Sequence, residues 1–174
     1  WYLFDYKTGA MQTGMVKLSK KTVYYGADGA MRYGEQKING KWYYFHMRTG
    51  AMQTGLQTVP LKNGGTKTVY YGTDGTMRYG EQKIKGKWYY FQQGTGAMQI
   101  GFAKVSGKTV YYGEDGAMRY EHQLIDGDYY YFHPKTGAMQ TGLLDFGGDR
   151  WGFYGADGKQ IPMIDAKTAI DAAH

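Results

Sequence analysis

The sequence contains no cysteine, only 3 prolines among its 174 residues, and few aliphatic side chains. The absence of cysteine excludes a disulfide framework and every metal site that uses thiolate ligands. No stretch reaches the ~18 consecutive apolar residues of a membrane-spanning helix, so membrane insertion is not expected. Because Leu, Ile and Val are scarce, a core must be built mainly from aromatic rings and methionine.

Glycine, tyrosine and positive charge are abundant instead. The chain has 28 Gly, 19 Tyr, 10 Met and 4 Trp, and its formal net charge is +6. This charge favours anionic partners, either polyanionic wall polymers or nucleic acid. The lysines are spread through the turns without a clustered run, which argues against nucleic acid.

Two short motifs repeat along the whole chain. The first, GAMQTG or GAMQIG, recurs at spacings of 41, 46 and 41 residues, and the second, GAMRYG and its variants, lies between its copies. The two motifs therefore alternate about every 20 to 25 residues, which is the period of a repeat architecture. The first motif starts at Gly9, Gly50, Gly96 and Gly137, and the second starts at Gly29, Gly75 and Gly116.

Each half-repeat carries a run of aromatic and β-branched residues, such as TVYYG or WYYF, between glycine-containing turns. Such runs are typical of short strands joined by tight turns, so each half-repeat is predicted to be one β-hairpin. One small hairpin cannot bury enough surface alone, and the copies are expected to stack. We therefore predict an all-β solenoid of about eight stacked short β-hairpins over residues 1–158.

Two segments depart from this pattern. The extra residues of the longest interval fall between Gly55 and Thr68, where Pro60 and the sequence Asn63-Gly64-Gly65 indicate a longer surface turn. Residues 159–174 are predicted to be a C-terminal tail, in which Asp165 to His174 is either a short helix or the start of the next segment. The copy that starts at Trp151 is decayed, as expected for a terminal repeat that acts as a cap.

The sequence G-K-W-Y-Y-F-x3-T-G-A-M-x-T-G, which starts at Gly40, resembles the cell-wall-binding repeat family. That family includes the choline-binding modules of pneumococcal autolysins, the repeats of lactobacillar lysins and the glucan-binding repeats of glucansucrases. The resemblance covers residues 1 to about 158 and implies a hairpin solenoid that attaches a separate domain to the envelope. The alternation of its two motifs is most similar to the wall-binding half of a phage or bacterial lysin.

The resemblance also implies where choline would bind in this family. The cage pairs the Trp of WYY with a second Trp after the turn glycine, because ring faces hold a quaternary ammonium. In this sequence no Trp follows a turn glycine, and aligning TVYYG with WYYF places a valine where Trp42 and Trp88 stand. A full choline cage at each interface is therefore not expected. The residues after the turn glycine are Met15, Glu35, Leu56, Glu81, Phe102 and Leu143, and the aligned valines are Val23, Val69 and Val110.

Strand alternation places Trp42 and Tyr44 on one face of their strand and Tyr43 and Phe45 on the other, so that one face packs and the other can bind. A sugar ring stacked on an exposed aromatic side chain is the expected arrangement for binding, but a place in the core is the better interpretation for any single ring. The predicted ligand-binding residues are Trp42, Tyr44, Trp88, Tyr90, Tyr129, Tyr131, Met52 and Met98.

No catalytic, metal or cofactor site is predicted. No histidine pair has zinc-site spacing, and the recurring aspartates lie in x-D-G turns, where Asp suits the turn geometry. We interpret the chain as a non-catalytic module that holds a secreted lytic enzyme on a teichoic acid or wall polysaccharide. It begins without an initiator Met or leader and is expected to be a fragment. The alternatives are an α-glucan-binding repeat region of a glucansucrase or adhesin, a choline-binding module, and a spacer without ligand.

Overall fold

The computed structural model describes residues 1–162, which contain no helix and whose regular secondary structure consists of short strands. The predicted helix at Asp165–His174 lies outside these residues. The strands are β1 Gly14–Lys17, β2 Thr22–Tyr25, β3 Gly34–Ile38, β4 Lys41–Phe45, β5 Gly55–Pro60, β6 Thr66–Tyr71, β7 Gly80–Ile84, β8 Lys87–Phe91, β9 Gly101–Val105, β10 Lys108–Tyr112, β11 Glu121–Ile125, β12 Asp128–Phe132, β13 Gly142–Asp145, β14 Trp151–Tyr154 and β15 Gln160–Ile161.

Consecutive strands pair as antiparallel hairpins, and β15 adds a third strand to the hairpin of β13 and β14. In the β3–β4 hairpin, for example, Gly34 pairs with Phe45 and Ile38 pairs with Lys41. The turn between these strands is Asn39-Gly40, and both residues have positive φ, 49° and 80°. Asn and Gly tolerate this left-handed region, which a two-residue hairpin turn requires. The described residues form seven antiparallel hairpins, and the first predicted copy forms only the bridge between Phe4 and Met11.

The β5–β6 hairpin is longer than its neighbours, as the sequence predicts. The extra residues lengthen both strands as well as the turn, so that Pro60 ends β5 instead of lying in the loop. The turn itself is closed by the Leu61 amide, which donates to the Gly65 carbonyl at 3.1 Å. The insertion is thus accommodated at the far end of one hairpin.

The chain forms two compact units. The first contains Trp1–Gln82 and Tyr90–Met98, and the second contains Lys83–Tyr89 and the residues from Gln99 onward. The boundary falls within the segment of β7 and β8.

In the first unit, aromatic rings and backbone hydrogen bonds join each hairpin to the next. The Tyr44 ring stacks on Tyr71 of the following hairpin with the ring centroids 6.2 Å apart, and Tyr24 stacks in the same way on Phe45 at 5.9 Å. The Met77 amide donates to the Trp42 carbonyl at 2.8 Å. Stacked rings and one methionine amide therefore link neighbouring hairpins.

The second unit repeats this arrangement. The Tyr111 ring stacks on Phe132 at 6.2 Å, and Tyr131 lies 6.3 Å from Tyr154. The Met139 amide donates to the Thr109 carbonyl at 2.7 Å. Both units bury rings and valines rather than leucines, and the all-β solenoid prediction is confirmed. The largest fully buried side chains are Tyr71, Tyr112, Tyr154, Phe45, Phe91, Phe132, Val23, Val59, Val69 and Val110.

Candidate ligand-binding sites

The predicted binding residues differ widely in exposure. Tyr44 is 7% exposed because Tyr71 covers its ring, whereas Trp88 is 37% and Tyr129 is 52% exposed. Simple alternation therefore does not separate a binding face from a packing face in β4, where Tyr44 and Phe45 are both buried. The remaining predicted residues are half-buried: Trp42, Tyr90, Tyr131, Met52 and Met98.

The backbone register corrects the alignment of the two strand types. The Thr68 carbonyl accepts the amide of Met98 just as the Trp42 carbonyl accepts the amide of Met77. A threonine therefore stands where Trp42 stands, and the expected match to valine is wrong by one residue. The valines belong to the core, since Val69 is 0% exposed. The conclusion that every second hairpin lacks this Trp still holds. The three threonines are Thr22, Thr68 and Thr109.

A groove in the first unit contains Trp1 and has a volume of about 320 Å³. Lys21 crosses it, and its Nζ donates to the Thr49 carbonyl at 2.7 Å. Among residues 1–162, no carboxylate lines this groove, and the guanidinium of Arg48 adds a second positive charge. Its lining is Trp1, Lys21, Met31, Tyr33, Arg48 and Thr49.

A second groove of the same kind contains Trp42 and has a volume of about 230 Å³. Lys67 Nζ donates to the Thr95 carbonyl at 2.9 Å, as Lys21 does in the first groove. We call these two sites the tryptophan grooves, since both combine one Trp, one Met and one Lys held by a threonine carbonyl. The lining of the second is Glu35, Trp42, Leu61, Lys67, Met77, Gly94 and Thr95.

An ion pair closes part of the Trp42 groove. Glu35 lies 3.2 Å from Lys67 Nζ, and the Tyr71 hydroxyl donates to the same carboxylate oxygen at 3.1 Å. The two charged side chains are only 22% and 17% exposed. Burial, with the negative charge of Glu35 beside it, raises the pKa of Tyr71 above its usual range. Glu35 follows a turn glycine, so a carboxylate takes the place that a cage Trp holds in the resemblance described above.

A third site, the C-terminal cleft, lies in the second unit between the β11–β12 and β13–β14 hairpins and has a volume of about 490 Å³. Three rings meet there: His122 lies 4.8 Å from Tyr131 and 4.9 Å from Phe146, and Tyr131 and Phe146 are 4.8 Å apart. Charged and polar side chains surround these rings. The lining is Glu121, His122, Tyr131, Phe146, Arg150, Trp151 and Gln160.

The C-terminal cleft occupies the same place in its hairpin pair as the Trp42 groove does in the first unit. His122 pairs across its hairpin with Tyr131, as Glu35 pairs with Tyr44. Gln160 pairs with Tyr154, as Met77 pairs with Tyr71. The same register places Arg150 where Lys67 stands. The ion pair of the first unit is absent here because His122 replaces the glutamate.

Turn aspartates are structural. Asp74 accepts the Thr76 amide at 3.0 Å and pairs with Arg78 at 2.9 Å, and these contacts lower the pKa of its carboxyl. Asp28 and Asp115 make the same pair of contacts in their own turns. Within residues 1–162, no group of three or more potential metal ligands was found. The same part of the chain has no helix long and apolar enough to cross a membrane.

Sequence reasoning missed the side chains that give these sites their charge. The lysine before each TVYY run, present at Lys21, Lys67 and Lys108, is a recurring signal that could have pointed to the grooves. Arg150 takes the place of this lysine in the decayed last copy, whereas Phe146 lies in the irregular last turn and carried no repeat signal. Met52, a predicted binding residue, packs against Gly75 of the next turn.

Comparison with known proteins is consistent with these observations. The family model for the choline-binding repeat matches residues 12–55, 53–100 and 99–143. The structure of CbpJ from Streptococcus pneumoniae TIGR4 is similar, with 26% sequence identity and a TM-score of 0.79, over 92% of this chain and 56% of that one. Choline-binding protein F from Streptococcus pneumoniae has 25% identity and a TM-score of 0.74, over 88% of this chain and 53% of that one.

The chain therefore spans just over half the length of these two relatives. A second structure of choline-binding protein F, determined in the presence of a peptidoglycan analogue, matches equally well, with a TM-score of 0.74. A search of curated proteins found no match.

Proposed function

Because the chain belongs to the choline-binding repeat family, we propose that it is the wall-anchoring module of a secreted bacterial protein. In this proposal the module is non-catalytic and holds an attached domain, most simply a peptidoglycan hydrolase, on a repetitive envelope polymer. The observation that carries the proposal is the recurrence of the tryptophan grooves, each with one tryptophan and one lysine at a hairpin junction.

The chemistry of the grooves favours a polymer unit with hydroxyl or phosphate groups. The indole of Trp1 can stack on an apolar sugar face, while Lys21 and Arg48 donate to oxygen atoms. A free quaternary ammonium would meet two positive charges in this groove and no carboxylate. A teichoic acid or wall polysaccharide is therefore the proposed ligand, and choline alone is an outcome that the test below distinguishes.

Repetition explains how weak sites can hold a protein firmly. The two tryptophan grooves lie at equivalent positions of successive repeats, so one long polymer chain can occupy both. Binding at the second groove is then intramolecular, and avidity can exceed a single affinity by roughly 10²-fold or more. Single repeat units should bind weakly, and intact wall should retain the module.

The test compares retention on purified wall sacculi before and after chemical removal of teichoic acid and polysaccharide, with dextran beads and a choline wash alongside. The double variant Trp1→Ala with Trp42→Ala should lose retention by roughly 10-fold or more, and by more than either single change. Tyr6→Ala is the matched control, because Tyr6 is 89% exposed and lies outside both grooves. A folded double variant that is retained like the parent would contradict the proposal.

A further inference from the structure

We propose that the C-terminal cleft binds a neutral pyranose ring, as a sugar site separate from the tryptophan grooves. The inference goes beyond wall anchoring, since it assigns a ligand class to a site in the second unit that has neither a groove Trp–Met pair nor an internal ion pair. Its test uses soluble sugars and does not depend on wall retention.

The floor of the cleft is aromatic. His122, Tyr131 and Phe146 are mutually within 4.9 Å, and the indole of Trp151, which is 46% exposed, stands at the edge. The Phe146 amide donates to the Arg150 carbonyl at 2.9 Å, so the last turn itself fixes the phenyl ring in place. Flat apolar rings in a cleft are the surface on which the C–H face of a pyranose packs.

The rim of the cleft offers hydrogen-bonding groups of both kinds. Glu121 presents a carboxylate that accepts, Arg150 presents a guanidinium that donates, and Gln160 can do both. Within residues 1–162, neither Glu121 nor Arg150 forms an ion pair, and the Arg150 side chain donates only to the Gly147 carbonyl at 3.4 Å. These groups are available to sugar hydroxyls, which donate and accept in turn.

The charges of the rim select against ions. The positive charge of Arg150 would repel a quaternary ammonium, and the negative charge of Glu121 would repel a phosphate. For either kind of ion, the cleft therefore contains a like charge as well as an opposite one. A neutral ring with several hydroxyls can use the carboxylate and the guanidinium together.

Two features show that the C-terminal cleft is not arranged for maximum stability of the fold. Glu121 has a φ of 59° at a place where β3, β5, β7 and β9 begin with glycine. The buried Tyr154 hydroxyl has no hydrogen-bond partner within the described residues, whereas its counterpart Tyr71 donates to Glu35. Backbone strain and an unsatisfied polar group are tolerated where a site needs them. The backbone strain follows from Glu121, and the unsatisfied hydroxyl follows from His122. These two residues keep the cleft polar and open.

The experiment measures saturation-transfer NMR on the whole chain carrying Trp1→Ala and Trp42→Ala, which removes sugar stacking in the tryptophan grooves, with methyl glucoside, N-acetylglucosamine, choline chloride and inorganic phosphate, each up to tens of millimolar. The sugars should give transfer, and neither ion should compete with them. Phe146→Ala, His122→Glu and Glu121→Gly should each reduce sugar binding by about 10-fold, since each removes part of the floor or rim. Leu61→Ala, which lies in the lining of the Trp42 groove and not in the cleft, should leave it unchanged.

His122→Glu and Glu121→Gly also guard against misfolding as an explanation. The first supplies an acceptor for Tyr154 and Arg150, and the second relieves the backbone at position 121, so both variants should unfold at a higher denaturant concentration than the parent. Weaker sugar binding in a more stable protein is the expected pairing.

Absence of sugar transfer, displacement of sugar by choline or phosphate, or equal sugar binding by all variants would each overturn the inference. The Trp1→Ala with Trp42→Ala double variant should still bind sugars, which separates failure of this inference from failure of the wall-anchoring proposal.

Discussion

Two equivalent hairpin junctions, one in each unit, are packed differently: side chains narrow the groove at one junction and leave a larger cleft at the other. At the junction of β3–β4 with β5–β6, Glu35 forms an ion pair with Lys67 and accepts a hydrogen bond from Tyr71. These contacts narrow the groove. Where β11–β12 meets β13–β14, His122 replaces the glutamate and the cleft has roughly twice the volume, about 490 Å³ against 230 Å³. The hairpin backbone thus determines where a site lies. The residue after the turn determines whether the protein's own side chains occupy that site.

Removal of the carboxylate at the closed junction should give the largest effect. Glu35→Ala leaves the Tyr71 hydroxyl without its acceptor, and it leaves the Lys67 ammonium, which is 17% exposed, with the Thr95 carbonyl and no opposite charge. We expect a loss of about 2–3 kcal/mol in the free energy of unfolding, measured with urea. His122→Ala removes no ion pair and should cost less than about 1 kcal/mol. Equal losses at the two junctions would show that the ion pair does not distinguish them.

The two buried tyrosine hydroxyls offer a smaller contrast. Tyr71→Phe deletes a donor that Glu35 uses and should cost about 1 kcal/mol, whereas Tyr154→Phe deletes a hydroxyl without a partner and should be neutral or stabilising. Urea midpoints of the two variants at neutral pH provide the measurement. A destabilising Tyr154→Phe would mean that this hydroxyl has a partner in solution.

The smallest effect concerns alkaline pH. Burial raises the pKa of both Tyr71 and Tyr154, so the folded state favours their neutral forms. Their contribution to stability is therefore full below the unfolded tyrosine pKa of about 10 and is lost as pH rises beyond it. Relative to its value at pH ~8, the free energy of unfolding falls at pH ~10 to ~11. This fall should be a few tenths of a kcal/mol smaller in the Tyr154→Phe variant than in the parent. Parallel curves would contradict this expectation.

The hairpins and their order were predictable from the sequence, and the family match confirms the family that the repeated motifs indicate. Turn signals such as Asn39-Gly40 and the aromatic runs act over two to five residues, which is the range that a sequence pattern can report. The pair of Glu35 and Lys67 joins residues of different hairpins, and neither residue type indicates its partner. The one-residue error at Val69 has the same origin, since only the amide of Met98 reveals the register.

The irregular last turn was the least predictable part of a site. Phe146 belongs to a turn outside the repeated motifs, so no repeat position assigned it a role, and Arg150 precedes a copy whose motif has decayed. Their importance follows from contact with His122 and Tyr131 of the preceding hairpin. The tryptophans and tyrosines chosen from the sequence therefore include groove residues, such as Trp42, but omit the charged side chains beside them.

The methionine amides described above also determine how the module responds to a pulling force. Within each unit, a single backbone hydrogen bond, such as that from Met77 to the Trp42 carbonyl, joins the segment after one hairpin to the preceding hairpin. Tension along the chain therefore loads these links one after another, and each hairpin can open while its neighbours stay folded. A protein tethered to an expanding or sheared surface would lengthen in steps and dissipate work before it dissociated from the surface.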